Sequence, residues 1–272
     1  MPDLSILLPM AALLVVIGGI AGVAAGLLGV GGGIVLVPAF FYAFSTLGYD
    51  GPHLMQVCIA TSLATIIVTS PRSVMAHNAK GAVDWVLLRG WSVFIVLGAA
   101  AGTWVASRVS SQALQGVFAV LAGVAGLYMA LGRAHWRLAS ALPGQPLRGV
   151  MATALAFFSA MMGIGGGTFG VPLMTLFSVP IHRAVGTAAG IGMLIAVPSV
   201  LGFLLVRTTG APPFTLGAVS LPAFLLVIGA TYVTTPWGTH LAHAMDPRPL
   251  KRVFAVFLIL VSLNMLRKVF GW

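Results

Sequence analysis

Two short glycine-rich runs in this chain are near copies of each other. Residues 28–38 read LGVGGGIVLVP and residues 162–172 read MGIGGGTFGVP, and they align without a gap at an offset of 134 residues in a chain of 272. Glycine costs about 1 kcal/mol relative to alanine inside a helix, so three consecutive glycines in apolar sequence predict a helix break in each half. A break repeated at corresponding positions of two hydrophobic halves is a sequence pointer to the binding site of a transporter.

The composition leaves too few charged residues to form the surface of a soluble protein. Hydrophobic residues make up 59% of the chain and charged residues 7%, and the mean hydropathy is +1.07. Ordinary soluble domains carry roughly 25% charged residues. We therefore predict an all-α polytopic membrane protein embedded in the lipid bilayer. The first hydrophobic run is long and has no preceding basic segment, so we expect a retained span and not a cleaved signal peptide.

Hydrophobic runs separated by turn signals divide the chain into ten segments, five in each half. They cover residues 5–28, 33–48, 54–71, 86–107 and 112–131, and then 149–163, 167–180, 184–206, 216–238 and 250–270. We predict one integral membrane domain made of a first repeat (1–131), a cytoplasmic linker (132–148) and a second repeat (149–272).

Further matches extend the duplication beyond the glycine runs. Thr61 aligns with Thr187, and Gly102 aligns with Gly238, in the same order in both halves. Because each repeat has an odd number of segments, the second repeat enters the membrane from the opposite side. The sequence therefore predicts inverted repeats whose glycine-broken helices meet at the repeat interface.

The distribution of basic residues predicts how the chain is oriented. If every segment crosses, ten basic residues fall on one side and four on the other. The ten are Arg72, Lys80, Arg89, Arg133, Arg137, Arg148, Arg183, Arg248, Lys251 and Arg252, and the four are Arg108, Arg207, Arg267 and Lys268. The positive-inside rule places the ten in the cytoplasm and both termini outside, in what we expect to be a bacterial cytoplasmic (inner) membrane. Orientation accounts for the net charge of +10, so we expect no nucleic-acid partner.

Three of the segments are too short for an ordinary membrane crossing. Roughly 30 Å of hydrocarbon takes about 20 helical residues, and segments 33–48, 149–163 and 167–180 are shorter than that. We favour the interpretation that each glycine run is the tip of a re-entrant hairpin, and short spanning helices are the alternative. Both interpretations give the same side assignments, because a re-entrant hairpin makes no net crossing.

The helix that restarts after each glycine run is expected to present free backbone N–H groups within the membrane. Such an N-terminus carries partial positive charge and binds anions. No Asp or Glu falls in the middle of any segment, which argues against a cation carrier of the acidic kind. We therefore predict an anion site at the breaks, with tight helix packing as the alternative. The candidate residues are Gly29, Gly31, Gly32, Gly33, Gly163, Gly165, Gly166, Gly167 and Thr168.

Polar side chains elsewhere in the segments are further candidates for contact with a substrate. Thr61 and Thr187 stand out because the repeat pairs them, and Ser62 follows Thr61 directly. The other polar positions are Gln56, Thr65, Thr69, Ser70, Ser159 and Thr175. We expect many of these hydroxyls to bond to their own helix instead.

Basic residues near the expected cytoplasmic end form a separate group of candidates. Arg72, Arg183 and His182 are placed to attract an anion or to take part in coupling. The alternative is that they anchor the chain at the membrane interface, as basic residues commonly do.

The remaining histidines and the single cysteine point to little chemistry of their own. His53 and His77 are candidates for coupling to protons. His240 and His243 are interpreted as loop residues with no further ligands at a metal-binding spacing, and Cys58 is a lone thiol in an apolar segment. We therefore expect no metal site and no cofactor.

The residues described above resemble the TauE/SafE family of sulfite and organosulfonate exporters. The resemblance rests on the two glycine runs, each ending in Val-Pro, and on residues 60–63 (ATSL), His77, residues 81–85 (GAVDW) and residues 183–187 (RAVGT). It covers nearly the whole chain and departs at residues 56–60, where the family more often shows an Ala-x-Gly-Thr-Ser-like run. It implies a secondary carrier of small sulfur-containing anions such as sulfite, sulfoacetate or related organosulfonates, in either direction.

We therefore expect a secondary transporter that works by alternating access and is not an enzyme. An anion channel with a fixed filter is the first alternative. An intramembrane enzyme is the second, although Ser159 lacks the sequence surroundings of a nucleophile. The sequence leaves open which sulfur anion is moved, its direction, the coupling ion and the oligomeric state.

Overall fold

A computed structural model of the protein describes residues 4–29, 31–131, 137–244 and 248–271. Some predicted features therefore lie outside the described residues. They are the two chain ends (1–3 and 272), Val30 of the first glycine run, residues 132–136 of the linker with Arg133, and residues 245–247.

Within the described ranges, ten helices correspond one to one to the ten predicted segments. They are α1 (Leu4–Leu28), α2 (Gly33–Thr46), α3 (Leu54–Asn78), α4 (Trp85–Ala106), α5 (Ser111–Leu131), α6 (Leu147–Met162), α7 (Gly167–Leu176), α8 (Ile181–Leu204), α9 (Leu221–Ala244) and α10 (Arg248–Phe270). Between α8 and α9, strands β1 (Thr215–Leu216) and β2 (Val219–Ser220) pair in an antiparallel hairpin with Thr215 opposite Ser220. The prediction of an all-α polytopic membrane protein is confirmed.

α3 and α9 differ most from the segment bounds that the sequence predicts. α3 continues past residue 71 to Asn78 although Pro71 lies inside it. Proline removes one backbone donor, but Val74 and His77 beyond it are buried, so packing sustains the last turns of the helix. α9 begins at Leu221 because the residues before it form the hairpin, and it runs on to Ala244.

Helix packing follows the duplication of the sequence. α1 packs along α9, and α4, the counterpart of α9, packs along α6, the counterpart of α1. Likewise α2 lies against α3 and α7 against α8, while α3 packs on α8 and α5 on α10 across the two halves. The first helix of each half therefore packs on the fourth helix of the other half, so the halves interlock. The predicted boundaries of the repeats and linker stay a prediction.

The α1–α9 and α4–α6 pairs both rely on close backbone approach at a glycine. A side chain on Gly238 of α9 would collide with the backbone of Val23 in α1, and a side chain on Gly102 of α4 would collide with the backbone of Phe157 in α6. Val23 and Phe157 occupy equivalent positions of the two repeats, as Gly102 and Gly238 do. Small residues at such crossings let helices pack tightly inside a membrane.

Six of the described helices, α1, α3, α4, α5, α8 and α9, are long and apolar enough to cross a membrane. α2, α6 and α7 have 14, 16 and 10 residues, fewer than the about 20 that a crossing takes. The three short segments are thus confirmed as short, and their re-entrant path stays a prediction. Large apolar side chains such as Leu97, Trp104, Leu201 and Leu225 are exposed on the outer helices, as contact with lipid requires.

Candidate functional site

Both glycine runs interrupt their helices, as predicted. α1 ends at Leu28 and α2 begins at Gly33, whereas α6 ends at Met162 and α7 begins at Gly167. Each break is followed by a short helix, so the chain restarts a helix inside the bundle in both halves. Backbone groups freed at such a break must be buried in protein or face a watery cavity.

The backbone of the breaks explains why the sequence uses glycine there. Gly29, Gly31 and Gly32 have φ angles of 64°, 72° and 76°, and Gly163 has a φ of 69°. These values lie in the left-handed region, which glycine adopts without steric cost and other residues rarely adopt.

The two breaks touch each other at the centre of the bundle. Gly33, the first residue of α2, abuts the carbonyl oxygen of Gly163 and leaves no room for a Cβ atom. Ser62 of α3 donates a hydrogen bond from its Oγ to the same carbonyl at 2.7 Å. The predicted candidates Gly33, Ser62 and Gly163 are therefore brought together, and the two breaks are in direct contact.

Each break also packs on the third helix of the opposite half. Gly29 of the first break lies against the carbonyl group of Val185 in α8, and Gly163 of the second break lies against the backbone of Ile59 in α3. Val185 and Ile59 are equivalent in the repeat, each two residues before its paired threonine. The site is consequently enclosed by α3 and α8 from the two halves.

α2 and α7, the helices that follow the two breaks, begin without side-chain caps. The N-cap residues are Gly32 and Gly166, and neither makes a side-chain hydrogen bond to its helix. The first N–H groups of a helix have no partner within the helix. They give each N-terminus a partial positive charge that favours an anion.

The two breaks differ in the side chains that surround them. Three apolar residues at the first break are replaced by smaller or polar residues at the equivalent positions of the second. Ala25, Ile34 and Ile66 at the first correspond to Ser159, Thr168 and Gly192 at the second, and all six are buried. The second break is therefore the more polar one.

Gly192 of α8 packs closely against the second break. A Cβ atom at position 192 would lie 3.0 Å from Oγ of Ser70 and 3.4 Å from the amide nitrogen of Gly166. At the first break the corresponding residue is Ile66, whose side chain packs directly on Gly31. An amide nitrogen and a hydroxyl thus both lie beside Gly192 at the second break.

Three buried hydroxyl groups around the second break lack a hydrogen-bond partner in the part of the chain that the structure describes. They belong to Ser70, Ser159 and Thr168, whose exposed fractions are 1%, 0% and 5%. A buried polar group without a partner costs about 1–3 kcal/mol, and most such groups in proteins have one. Hydroxyl and amide donors together are suited to the oxygens of a small oxyanion.

Acidic groups that would repel an anion are absent from the described surroundings of the breaks. Asp50, which lies beyond the end of α2, accepts a hydrogen bond from the hydroxyl of Ser45. Asp84 caps the start of α4 by accepting a hydrogen bond from the backbone N–H of Leu87. Asp3 and Asp246 lie outside the described residues.

Thr61 and Thr187 are placed symmetrically, and both hydroxyls are occupied. Thr61 Oγ1 accepts a hydrogen bond from the backbone N–H of Ser220 at 3.0 Å, and Thr187 Oγ1 accepts one from the backbone N–H of Asp84 at 2.9 Å. Asp84 and Ser220 immediately precede α4 and α9. Each paired threonine therefore anchors the start of a helix in the other half, and its contact with a substrate stays a prediction.

Each basic candidate contacts a side chain that lies outside the glycine runs. Arg183 forms an ion pair with Asp84 at 3.0 Å, and its side chain is 51% exposed. The guanidinium group of Arg72 lies over the ring of Tyr232, 4.1 Å from its centre. His182 stacks on His243 with ring centres 5.1 Å apart. A role for Arg72, Arg183 or His182 in attracting an anion stays a prediction.

Several other polar positions bond to backbone close by, as the alternative interpretation expects. Thr65 donates to the carbonyl oxygen of Thr61, Thr69 to that of Thr65, and Thr175 to that of Val171. Gln56 donates from Nε2 to the carbonyl oxygen of Val109 at 2.7 Å. Ser70 and Ser159 differ from these residues, because no such bond is formed by their hydroxyls within the described chain.

The interpretation of His240 and His243 as loop residues is wrong, because both lie in α9. His243 lies in the last turn of α9, with its Nε2 3.2 Å from Nδ1 of His77 in α3. These partners are 166 residues apart in sequence, so no local spacing could reveal them. Nε2 of His77 lies 2.9 Å from the carbonyl oxygen of Gly26. Among the described residues, no group of three or more His, Cys, Asp or Glu side chains is placed to hold a metal ion.

Comparison with known proteins gives a consistent picture over almost the full length. The family described as "Sulfite exporter TauE/SafE" matches residues 14–265. A protein of Haemophilus influenzae named "Probable membrane transporter protein" is 30% identical over 260 residues, covering 94% of this chain and 98% of the relative. A similarly named protein of Methanocaldococcus jannaschii is 25% identical over 268 residues, 97% of each chain, and YunE of Bacillus subtilis is 27% identical over 276 residues, covering 93% and 96%. No solved structure matches the chain.

Proposed function

Because the chain belongs to the sulfite exporter TauE/SafE family and is a membrane transporter, we propose that it is a secondary carrier of a small sulfur-containing anion. Its substrate in this proposal is sulfite, sulfoacetate or a related organosulfonate, moved by alternating access. The observation that carries the proposal is the second helix break, where the Gly166 amide and the unpartnered Ser70 hydroxyl both lie beside Gly192.

The donor groups at the second break suit the shape of a sulfur oxyanion. Sulfite and the sulfonate group both present three oxygens around one sulfur atom. The amide groups at the start of α7 and the hydroxyls of Ser70, Ser159 and Thr168 can donate to such oxygens, and charge-assisted hydrogen bonds are roughly twice as strong as neutral ones. A site that binds the sulfur group alone would accept sulfite and small sulfonates alike.

The interlocked halves suit a rocking motion about this site. The α1–α9 and α4–α6 pairs are each joined by a glycine contact that tolerates no added side chain, so each pair is expected to move as one body. In transporters with inverted repeats, movement of such bodies around a central site opens it first to one side and then to the other. In this proposal the end of the bundle that carries His77 and His243 faces the cytoplasm across a bacterial inner membrane, which the distribution of basic residues supports.

An anion channel is the alternative that the same helix breaks allow. A carrier returns its empty or loaded site across the membrane, so unlabelled substrate on the far side accelerates uptake of label. A channel shows no such acceleration. This difference separates the two functions without knowledge of the coupling ion.

Counterflow in proteoliposomes tests the proposal. Purified protein is reconstituted, the vesicles are loaded with sulfite, thiosulfate, sulfoacetate, taurine or sulfate, and uptake of the labelled compound is followed at equal pH on both sides. We expect trans-stimulated uptake of sulfite or sulfoacetate. Failure of every sulfur anion, or uptake without trans-stimulation, would contradict the proposal.

A matched pair of glycine variants locates the site. Gly192→Ala adds one methyl group where it approaches Ser70 and Gly166 without meeting backbone closer than 3.4 Å. Gly229→Ala adds the same group on the exposed side of α9, where nothing lies within 4 Å. Counterflow should fall in Gly192→Ala and stay unchanged in Gly229→Ala. Equal transport by both variants would show that the anion does not bind at the second break.

A further inference from the structure

Three helices end at a cluster of histidines on one side of the bundle. His77 lies in the last turn of α3 and His243 in the last turn of α9. Gly26, whose carbonyl oxygen is bound by His77, lies in the last turn of α1. Helix C-termini carry partial negative charge and favour a nearby cation. The convergence of three such ends favours a bound proton at this place.

The hydrogen bonds of the cluster fix where each ring carries its hydrogen. The carbonyl oxygen of Gly26 can only accept, so His77 donates to it from Nε2 at 2.9 Å. In the neutral ring of His77, Nδ1 is then an acceptor. His243 therefore donates from Nε2 to Nδ1 of His77 at 3.2 Å.

This arrangement accepts one proton without breaking a bond. The proton adds to the lone pair of Nδ1 on His243, the ring nitrogen that is not bonded to His77, and it leaves again to water. The donated bond from His243 to His77 is kept and becomes charge-assisted, which strengthens it. His77 is buried and His243 is partly exposed, so protons reach the pair from the outer ring.

The charged and titratable groups around the pair limit it to a single proton. His182 at the start of α8 stacks on His243 with ring centres 5.1 Å apart. Lys80, in the turn after α3, also acts electrostatically on His243. Arg183 next to His182 is balanced by its ion pair with Asp84 at the start of α4. A second positive charge in the cluster would meet repulsion from each of the nearby cations.

The cluster is also linked to the first helix break. Gly26 lies three residues before Gly29, where the left-handed backbone begins. The last four carbonyl groups of a helix lack partners within the helix, and His77 supplies one of these partners from another helix. A change in the break would therefore move the carbonyl group that holds His77.

The position of the second repeat that is equivalent to His77 carries no histidine. Sixteen residues after Thr61 and Thr187 stand His77 and Phe203 respectively. One backbone hydrogen bond is nevertheless shared, because the N–H of Ala82 bonds to the carbonyl oxygen of His77 and the N–H of Ala218 bonds to that of Phe203. The histidine is thus an addition to a shared framework.

We propose that the His77–His243 pair is a proton-binding site that links proton movement to the break between α1 and α2, which makes the proton the coupling ion of the carrier. This inference rests on the proposed function for its role in transport. The proton site itself is independent of the identity of the anion.

Gradient-driven uptake tests the coupling. Proteoliposomes are given a pH difference of one unit in each direction in turn, and accumulation of labelled sulfite and sulfoacetate is compared with counterflow at equal pH. For one proton per anion we expect about tenfold accumulation in one of the two directions. His243→Gln should abolish this accumulation. Its counterflow should stay within about twofold of the original protein's, since the substitution does not change the anion-binding site proposed at the second break.

A control variant and a second substitution keep this test decisive. His240→Gln changes an exposed histidine on the same helix, and its accumulation should equal that of the original protein. His77→Phe introduces the residue that the second repeat carries, and it should behave as His243→Gln does. Accumulation that persists in His243→Gln, or that is absent in the original protein while counterflow proceeds, overturns the proton site and leaves the proposed function standing.

Nuclear magnetic resonance tests the proton site without any substrate. The full-length protein with ¹⁵N-labelled histidine is titrated in nanodiscs between pH 5 and 8, and signals are assigned by their loss in the variants. We expect the signals of His77 and His243 to shift together in one transition. Independent transitions of the two signals, or no transition, overturn the inference, whether or not an anion is transported. If no anion is transported, the proposed function fails separately.

Discussion

The first and second glycine breaks share a backbone design and differ in their surroundings. Both interrupt a helix, both pack on the third helix of the opposite half, and they touch at Gly33 and Gly163. Around the first break, Ile34 and Ile66 fill the space with apolar side chains. Around the second, the corresponding residues are Thr168 and Gly192. The duplication therefore supplies the architecture, and its asymmetry supports our proposal that the anion binds at the second break.

A second difference lies at the ends of the third helices. α3 carries His77, which reaches the last turn of α1 and the end of α9, whereas Phe203 takes this position in α8. Two polar additions, one at the second break and one at the histidine end, thus distinguish an otherwise matched pair of repeats. A carrier needs a substrate site and a coupling site, and the two additions are suited to these separate tasks.

The largest effect is expected when the second break is made to resemble the first. Gly192→Ile places at the second break the residue that fills the first. We expect transport to fall by on the order of 100-fold, because the anion loses its hydrogen bonds to the Gly166 amide and the Ser70 hydroxyl. Counterflow of sulfite measures the loss.

The control for this variant is Gly229→Ile, which adds the same side chain in open space on α9. It should transport as the original protein does. Normal transport by Gly192→Ile would show that the two breaks do not differ in function.

A smaller effect is expected when one donor is removed from the second break. Ser70→Ala deletes a buried hydroxyl that has no partner within the described chain. A hydrogen bond to a charged group contributes about 1.5–3 kcal/mol, so the apparent affinity for sulfite should fall by roughly 10-fold or more. The concentration dependence of counterflow gives this affinity.

The neighbouring hydroxyl provides the matched control. Thr69 donates to the carbonyl oxygen of Thr65 in its own helix, so Thr69→Val should leave the affinity nearly unchanged. An equal loss of affinity in both variants would mean that Ser70 has no special contact with the anion.

The paired threonines Thr61 and Thr187 test a position at which the two halves have the same structure. Thr61→Val and Thr187→Val each leave one backbone N–H, that of Ser220 or Asp84, without its acceptor. Each change should lower the free energy of unfolding by about 1–3 kcal/mol, and the two losses should be similar. Thermal unfolding in detergent measures them. A large rise in KM without a loss of stability would instead show direct contact with the anion.

The smallest effect is expected at the surface. Asp84→Asn removes the charge that pairs with Arg183 but keeps an oxygen to cap Leu87. Because the Arg183 side chain is half exposed, we expect a change of less than about 1 kcal/mol in the free energy of unfolding. A shift in melting temperature well beyond that of a typical surface substitution would contradict this estimate of the ion pair.

The sequence predicts the framework well because local physics determines it. Ten hydrophobic segments became ten helices, and the glycine runs broke α1 from α2 and α6 from α7, since three consecutive glycines are incompatible with a stable helix. Segment ends were less accurate. Pro71 did not end α3, because the buried turns that follow it are held by tertiary packing.

The asymmetry of the site was harder to predict, since it depends on which helices face each break. Gly192 and Ser70 lie outside both glycine runs and come from different halves, so only the fold brings them together. An alignment of α3 with α8 that starts from Thr61 and Thr187 sets Ile66 against Gly192. This difference is the sequence signal that could have indicated the asymmetry of the two breaks. The pairing of His77 with His243 leaves no comparable signal.

The most direct test of the central claim is to locate a bound anion in an experimental structure. Selenite has the shape and charge of sulfite, and its selenium atom scatters anomalously, so its position can be read from diffraction data. The account predicts selenium at the second break, next to the Gly166 amide and the Ser70 hydroxyl, with helices interrupted at both glycine runs. Selenium far from either break, or at the first break beside Ile66, would contradict it.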